Sequence, residues 1–438
     1  MRLLNTTSIS FEEIDNVGEY SYAILSHCWG REEVSYENFL LSQQPSDLVP
    51  PWQAARAHQT TQKAGYRKIL QFCQVAKVRG FDWCWIDTCC IDKKSSAELS
   101  ESINSMWNWY WNSGLCIVYL ADVDTRLPEA IEKSRWFRRC WTLQELLAPR
   151  RLLFCASSWD DFGAITKDVL GFLSNNSRMF LARLSAITRI PVGVLQRRSG
   201  LESTSVAQRM SWAAGRRATR DEDVAYSLLG IFDINMPLLY GEGLKAFMRL
   251  QEEIIRRSPD DSIFAWTTRG CEDNLVDENT LADRYAQCWD DCCWPSLFAD
   301  SPDFFRSAGN VIHGTLAGVR RQPYSITNQG LQLTTDCERI MFTGGDSVTT
   351  IYLIALACSE SPYDRSAQRC YVAVREHDTQ NNHDLSNPSE YAVVFERLHC
   401  CTFGQELQEY YPSNEREWLR QVRLYLPLTP SFFGSRLR

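Results

Sequence analysis

The chain has 438 residues, of which 44% are hydrophobic and 12% aromatic, and it carries a formal net charge of −8. This length predicts two or three domains with a substantial core, and the hydrophobic content excludes a disordered chain. The negative charge argues against broad affinity for nucleic acids or membranes. Arginine is nevertheless dense at 135–151 and 215–220. Two basic patches in an acidic protein favour a phosphate-bearing small molecule as a ligand.

The N-terminal residues lack the apolar run of a signal peptide, and no stretch approaches the ~20 apolar residues of a membrane helix. We therefore expect a cytoplasmic protein whose 17 cysteines are reduced. Adjacent pairs such as Cys89–Cys90 and Cys292–Cys293 do not have the spacing of zinc ligands, and the sequence contains no Cys-x-x-Cys pair. We predict no metal site and no permanently bound cofactor.

The first predicted strand, 22–27, is buried and leads into a polar loop. Ser26 and His27 can donate hydrogen bonds, Trp29 can stack on a planar ring, and Gly30 permits close approach of a ligand to the backbone. Strand ends of this kind bind ligands in open α/β sheets, but a tight turn with a packed indole explains the same residues. Residues 31–60 are polar and contain three prolines, which predicts a long loop.

Apolar spacing predicts a helix from about Thr61 to Arg79, ended by Gly80, and then a strand over 81–87. Asp87 closes this strand, and Asp92 follows in the next loop. Paired acids at the carboxyl end of a strand are suited to binding ribose or a metal ion. They are equally typical of residues that begin a helix, and the sequence leaves both interpretations open.

Ser95, with Glu98 three residues later, predicts the start of another helix, whose buried face includes Ile103, Met106 and Tyr110. Strands follow at 116–120 and 151–155, with a helical segment between them. The alternation of strands and helices implies an α/β fold with a parallel sheet and right-handed crossovers. The loops at one edge of that sheet are then expected to converge.

The segment between those strands, Arg139-Cys-Trp-Thr-Leu-Gln-Glu145-Leu, contains a dense set of polar side chains. If it is helical, Arg138, Trp141 and Glu145 share one face and Gln144 lies on the next. A carboxylate beside an indole and a guanidinium is a candidate catalytic acid. An amphipathic helix with paired charges is the alternative, and composition alone favours it.

The remainder of the chain predicts two further regions, which gives domains at 1–160, 161–270 and 271–438. The middle region is helical, and its Arg216, Arg217 and Arg220 suit either a phosphate clamp or a salt-bridged helix junction. Beyond about residue 295, short β-type segments such as Gly330–Thr335, Val348–Cys358 and Cys370–Arg375 predict an antiparallel β domain.

Three blocks of the sequence resemble the signature blocks of the fungal heterokaryon incompatibility (HET) domain, in the same order. They are Leu25-Ser-His-Cys-Trp-Gly30, Trp85-Ile-Asp-Thr-Cys-Cys-Ile-Asp92 and Arg139-Cys-Trp-Thr-Leu-Gln-Glu145. The stretch 207–243 is similar to the segment that commonly follows this domain. The resemblance implies a role in self/non-self recognition after hyphal fusion, with growth inhibition or cell death as the response.

HET domains in turn resemble TIR domains, which have a flavodoxin-like fold and in some cases cleave NAD. The TIR catalytic glutamate lies in a Trp-Cys-x-x-Glu-Leu segment, which Trp141-Thr-Leu-Gln-Glu145-Leu146 matches except for threonine in place of cysteine. The resemblance implies that Glu145 is catalytic and that the protein acts as a homo-oligomer or with an incompatibility partner. The residues expected to bind NAD or a related nucleotide are Ser26, His27, Trp29, Gly30, Asp87, Asp92, Arg138, Arg139, Trp141 and Gln144.

Two other functions are consistent with the same sequence. The signature blocks can form a protein–protein surface in a non-catalytic signalling module. The arginine clusters can also belong to a nucleic-acid-binding factor, whose binding would fall steeply with salt concentration.

Overall fold

The protein is described from a computed structural model. The structure describes residues 1–45, 47–124, 128–167, 174–266, 297–313, 324–327, 330–344, 347–359, 369–376, 393–403 and 416–426. The chain divides into two compact units, one made of Met1–Leu201 and Arg216–Gly243, the other of Glu202–Gly215 and Leu244–Arg438. The predicted boundaries near residues 160 and 270 stay a prediction.

Seven strands form the sheet of the first unit, in the spatial order β2-β1-β4-β3-β5-β6-β7. Their bounds are β1 Arg2–Asn5, β2 Phe11–Glu13, β3 Tyr22–His27, β4 Trp83–Trp85, β5 Leu115–Tyr119, β6 Arg151–Cys155 and β7 Asp161–Thr166. The four central strands β4, β3, β5 and β6 are parallel. The outer strands β2, β1 and β7 pair antiparallel. The predicted mixed α/β architecture with a parallel sheet is therefore confirmed.

The parallel strands occur in the spatial order second, first, third, fourth along the chain, as in the flavodoxin-like arrangement. In such sheets the strand order reverses beside the first strand, here β3, and ligands bind outside the carboxyl ends of the strands at that point. All six residues of β3 are buried, because it is the central strand of the sheet and is covered on both faces. The residues that end β3 therefore lie where a ligand is expected.

Helices of the first unit begin with α1 Tyr36–Ser42, α2 Pro51–Gln62, α3 Ala64–Val78, α4 Ser96–Asn112 and α5 Thr142–Leu147. Four others follow: α6 Asn175–Thr188, α7 Val192–Leu195, α9 Glu222–Tyr226 and α10 Leu229–Phe232. The predicted helix before Gly80 is confirmed as α3, and Gly80 adopts a φ of 84°, a conformation that favours glycine. Ser95 caps α4 as predicted, by accepting a hydrogen bond from the Glu98 amide.

Two local predictions are wrong. The stretch 31–60 is not one long loop, because α1 and the first part of α2 lie within it. Pro51 is tolerated there because it occupies the first turn of α2, where its missing N–H has no partner in the helix. The segment around Arg139 is not a continuous helix either. A 3₁₀ helix at Arg135–Arg138 ends at Arg139, which is extended, and α5 begins only at Thr142.

The second unit contains α8 Val206–Ala213, α11 Lys245–Arg257 and a second sheet of seven strands. Its strands are β8 Ile312–His313, β9 Ser325–Thr327, β10 Gly330–Gly344, β11 Ser347–Ser359, β12 Arg369–Glu376, β13 Val393–Phe403 and β14 Arg416–Leu426. The pairings are antiparallel except for β13 with β14. The predicted segments at 330–335, 348–358 and 370–375 lie within these strands.

Other segments noted in the sequence reach beyond what the structure describes. Cys292 and Cys293 lie outside the described residues, as do parts of two further β-type segments, 311–316 and 391–395. Among the described helices, none has the length and apolar character needed to cross a membrane.

Candidate functional site

Ser26 and Glu145, which are 119 residues apart in sequence, form a buried hydrogen bond at the carboxyl end of β3. The Ser26 Oγ donates to the Glu145 Oε2 over 2.5 Å. The Ser26 Oγ also accepts a hydrogen bond from the Trp136 indole N–H over 2.8 Å. Ser26 is 0% exposed, Glu145 5% and Trp136 1%. The Tyr110 hydroxyl also forms a hydrogen bond to Glu145. The structure therefore places the carboxyl of α5 beside the strand end that the sequence singled out.

Burial controls the protonation of Glu145. Loss of solvent raises the pKa of its carboxyl to about 8, and the charge of Asp87 contributes in the same direction. The hydrogen bond from Ser26, the charge of Arg139 and the neighbouring Tyr110 hydroxyl, whose proton is donated to the Leu25 carbonyl, oppose this increase without cancelling it. Glu145 is thus mainly protonated at neutral pH. Carboxyl groups in this state serve as general acids, or as bases once the pH exceeds their pKa.

A second polar group surrounds His27 and Asp87. The His27 Nε2 lies 3.0 Å from the Asp87 Oδ1, and the Trp29 indole N–H donates to the Asp87 Oδ2 over 2.7 Å. On the other side of the imidazole, the Lys68 Nζ donates to the His27 Nδ1 over 2.9 Å and to the Glu33 Oε1 over 2.5 Å. Because Nδ1 accepts from the ammonium, the His27 proton resides on Nε2 and points at Asp87.

The Gly30 amide donates to the same Glu33 carboxylate over 2.6 Å. The hydrogen bonds therefore form a closed ring that includes Trp29, Asp87, His27, Lys68 and Glu33 and returns through the Gly30 amide to Trp29. We refer to these six residues as the loop ring. It fixes the loop after β3 against α3 and the end of β4.

The charges of the loop ring follow from its contacts. Burial lowers the pKa of His27, and the neighbouring Lys68 ammonium lowers it further, so the imidazole is neutral at pH 7. Burial alone would raise the pKa of Asp87, but the hydrogen bond from His27, the charge of Lys93 and the hydrogen bond from the Trp29 indole outweigh it. The pKa of Asp87 is consequently below its usual value, and the group stays ionised.

Trp29 is the exposed member of the ring, with 39% of its surface accessible. The Lys93 Nζ lies 3.5 Å from the centre of its ring, and the Arg139 guanidinium carbon lies 5.8 Å from it. These distances are those of cation–π contacts. Trp29, which lies in the first sequence block, thus contacts Lys93, which follows the second block, and Arg139, which begins the third.

The entry to α5 is held by Arg216, a buried residue 6% exposed. Its Nη1 donates to the Arg139 carbonyl over 3.0 Å and to the Thr142 Oγ1 over 3.1 Å. The backbone of Arg217 accepts from the Cys140 amide and donates to the Arg138 carbonyl. Arg216 and Arg217 therefore brace the segment that leads into α5. The phosphate clamp and the salt-bridged helix junction stay predictions.

Other predicted site residues have different surroundings. The Asp92 carboxylate accepts from the Lys94 amide, and the Asp92 amide donates to Glu98, so both contacts are with residues close to it in sequence. Arg138 is exposed. The Trp141 indole forms a hydrogen bond to Asp223, so the tryptophan bonded to the Ser26 and Glu145 pair is Trp136 and not Trp141. Gln144 is 1% exposed, and its Nε2 has no hydrogen-bond partner among the residues that the structure describes.

Five residues of the site were not proposed from the sequence: Trp136, Tyr110, Lys68, Glu33 and Lys93. Tyr110 was correctly predicted as buried, but nothing in its spacing points to Glu145. Lys68 lies within a mainly apolar helix face, and a lysine at such a position is a weak signal of a buried partner. The closeness of Trp136 to the third block is the strongest clue that the sequence offered.

No group of three or more His, Cys, Asp or Glu side chains with the geometry of a metal site occurs within the described residues. The site itself combines a protonated carboxyl group with neutral hydroxyl and indole donors, next to cationic side chains at the surface.

Comparison with known proteins gives three findings. The model of the heterokaryon incompatibility protein (HET) family matches residues 22–129, and that of a domain of unknown function, DUF8212, matches residues 245–383. The vegetative incompatibility protein HET-E-1 of Podospora anserina is 42% identical over 246 residues. This alignment covers 53% of the present chain and 16% of HET-E-1, so the chain spans about a sixth of that relative. No solved structure matches.

The HET match begins at the first residue of β3 and includes the loop ring. Glu145 lies beyond residue 129, outside the matched range, although the structure places it against Ser26 within that range. Residues 22–129 of the chain therefore match the heterokaryon incompatibility (HET) family, and the identity to HET-E-1 agrees with that similarity.

Proposed function

We propose that this protein acts in heterokaryon incompatibility, as an effector that stops growth or kills the cell when genetically different hyphae fuse. The HET match and the identity to a vegetative incompatibility protein support this role. We further propose that its first unit is TIR-like and cleaves NAD at the bond between nicotinamide and ribose. The observation that carries this second step is the buried Glu145 carboxyl, at the carboxyl end of β3, with a pKa raised to about 8.

In the proposed reaction the C–N bond between nicotinamide and ribose breaks, and its electron pair goes to the nicotinamide nitrogen. The ribose becomes an oxocarbenium-like cation, which water attacks at the same carbon to give ADP-ribose and a proton. Glu145 in its ionised form stabilises the developing positive charge and holds the ribose hydroxyls. Ser26 and Trp136 orient it through the hydrogen-bonded pair, because both are buried and fixed.

The low exposure of Glu145 has two consequences for this proposal. A substrate reaches the carboxyl only if the loop after β3 or the entry to α5 moves, or if assembly with a second copy changes them. We therefore propose that the active form is a homo-oligomer or a complex with an incompatibility partner, located in the cytoplasm. NAD is a substrate here, and no permanently bound cofactor is proposed.

The experiment incubates the purified full chain with NAD, at low and high protein concentration, and measures released nicotinamide. The wild type is expected to release it, Glu145→Gln to release none, and Glu98→Gln to behave as the wild type. Glu98 is a suitable control because its carboxylate pairs with Arg2, away from Ser26. Absence of nicotinamide release even from concentrated protein, or equal release by Glu145→Gln, would overturn the hydrolase proposal.

The incompatibility role is tested in living hyphae. Induced expression of the wild-type chain in a filamentous fungus is expected to arrest growth. If the arrest persists in Glu145→Gln, the incompatibility role holds without NAD cleavage. That result would favour the second candidate, a non-catalytic signalling module, which the tight hydrogen bonding of Glu145 also fits. Normal growth with well-expressed wild type would contradict the incompatibility role itself.

A further inference from the structure

We propose that Lys93 and Arg139, arranged around Trp29, bind a phosphate ester. Resting on the function proposed above, we assign to this surface the diphosphate of the nucleotide that is cleaved at Glu145. Of the two, Arg139 was already expected to bind nucleotide, whereas Lys93 was not singled out by any motif.

Neither cation forms an ion pair in the part of the chain that the structure describes, although their neighbours do. Lys94, the next residue, pairs with Glu37 over 2.6 Å, and Lys68 pairs with Glu33 over 2.5 Å. Arg135, on the same 3₁₀ segment that leads to Arg139, lies 3.6 Å from Asp122. Lys93 and Arg139 instead converge on one uncharged ring, at 3.5 Å and 5.8 Å from its centre.

The Asp87 charge acts on Lys93, but this carboxylate already accepts two hydrogen bonds. Both Asp87 oxygens are occupied, one by the His27 imidazole and the other by the Trp29 indole. Two positive charges close together repel each other, and an anion bound between them removes that repulsion. A phosphate group fits this requirement, because arginine binds it through two parallel N–H donors and lysine through a compact charge.

Trp29 has a role here beside the base stacking that the sequence suggested, because one face of its indole contacts the Lys93 ammonium. A ring face that holds an ammonium at 3.5 Å is not open to a base. The loop ring fixes the indole through Asp87, and the indole in turn fixes the Lys93 ammonium. The tryptophan therefore orients a cation for the ligand.

The surface is within reach of the buried carboxyl. Ser26 and Trp29 are three residues apart, so their Cα atoms are separated by about 10 Å at most. The charge of Arg139 acts on both Lys93 and Glu145, which places it near the two groups. A nucleotide held by its phosphates at Trp29 can therefore present its ribose toward Glu145.

The size of the cluster favours a small ligand over a nucleic acid. It offers two cations in a chain whose net charge is −8. Nonspecific binding of a nucleic acid relies on several phosphate contacts spread along a groove. A diphosphate needs no more than the two charges present.

The test is calorimetric titration of the full chain with ADP-ribose and, separately, with inorganic pyrophosphate at low salt. Lys93→Gln and Arg139→Gln are each expected to weaken both ligands about tenfold or more, because each removes a charged hydrogen bond. Lys93→Arg, which keeps the charge, is expected to restore most of the affinity. The controls Lys94→Gln and Arg135→Gln remove cations that are close in sequence and already form ion pairs, and they are expected to leave both affinities unchanged.

Thermal unfolding of each variant verifies that the fold is retained. The inference is overturned if the wild type binds neither ligand, if the two site variants bind as the wild type does, or if the controls weaken binding equally. Tighter binding of single-stranded RNA than of ADP-ribose at this surface would also overturn it. If ligand binding depends on Lys93 and Arg139 but NAD is not cleaved, the hydrolase proposal is rejected and the present inference stands.

If NAD is cleaved with a KM that neither variant changes, the present inference is rejected and the hydrolase proposal stands.

Discussion

The Ser26–Glu145 pair and the Trp29 surface both lie at the carboxyl end of β3, but the first is a buried neutral pair and the second is a group of cationic side chains. Glu145 is buried, and its hydrogen-bond partners Ser26 and Tyr110 are neutral, so the protein keeps it protonated near neutral pH. At Trp29 the side chains of Lys93 and Arg139 contact the indole without an ion pair among the described residues. The difference separates two tasks: the buried pair sets proton chemistry, whereas the surface attracts an anion.

The largest effect is expected from breaking the buried side of this comparison at Trp136. Trp136→Ala removes a fully buried indole and should lower the free energy of unfolding by about 3–5 kcal/mol. Trp136→Phe keeps an aromatic ring but loses the N–H that binds Ser26, and should cost about 1 kcal/mol from that bond, plus a smaller packing loss. Urea denaturation measures both. Similar small losses for the two variants would show that Trp136 is not a core residue.

The protonation of Glu145 predicts a stability that depends on pH. Its carboxyl has a folded-state pKa of about 8, above its ordinary value of 4.5, so the folded state holds a proton that the unfolded state has released between these values. Wild-type stability should therefore fall by about 1.4 kcal/mol per pH unit in that window, relative to Glu145→Gln. Above about pH 8 the difference should stay constant.

The groups that interact with Glu145 through hydrogen bonds or charge are Ser26, Tyr110, Asp87, Arg139, Cys116 and Arg216. Denaturation of both proteins from roughly pH 5 to 9 measures the difference. Parallel stability curves for wild type and Glu145→Gln would mean that the carboxyl titrates normally and is not desolvated.

Gly65 allows the loop ring to be disturbed without removing any charge. A Cβ at this position would lie 2.4 Å from the Glu32 carbonyl and 2.9 Å from the Glu33 Cα. Gly65→Ala should therefore displace Glu33, weaken its contact with Lys68, and cost about 1–3 kcal/mol. Gly18→Ala is the control, because its Cβ would meet one side-chain oxygen at an ordinary 3.5 Å. Equal melting temperatures for the two variants would contradict this role of Gly65.

The smallest effect on stability is expected at the surface itself. Trp29→Ala removes a partly exposed indole and its bond to Asp87, at a cost of about 1 kcal/mol. It also frees the Lys93 ammonium, so ADP-ribose binding should weaken far more than stability does. Calorimetry measures the ADP-ribose affinity and denaturation measures the stability, both on the same sample. If Trp29→Ala lost much stability but bound ADP-ribose as the wild type does, Trp29 would stabilise the fold and would not support ligand binding.

The sequence predicted the elements of this site better than the contacts among them. Ser26, Asp87 and Glu145 were placed at strand ends and at one helix entry, because apolar runs and caps are local signals. The break at Arg139 was missed because it depends on pairing with Arg217, which is distant in sequence. Likewise, the pattern of the third block favoured Trp141 as the partner of the carboxyl. In the structure the tryptophan beside the carboxyl is Trp136, which lies in the 3₁₀ helix before Arg139, is buried, and donates to Ser26.

The account rests on Glu145 being both the reactive group and a carboxyl with a raised pKa. The most direct measurement is the pH dependence of kcat/KM for nicotinamide release from NAD, which reports the ionisation of the free enzyme. For the wild type, it should rise about tenfold per pH unit up to about pH 8 and then level off, while Glu145→Gln stays at background. A wild-type profile that is already flat from roughly pH 6, or activity retained by Glu145→Gln, would contradict the account.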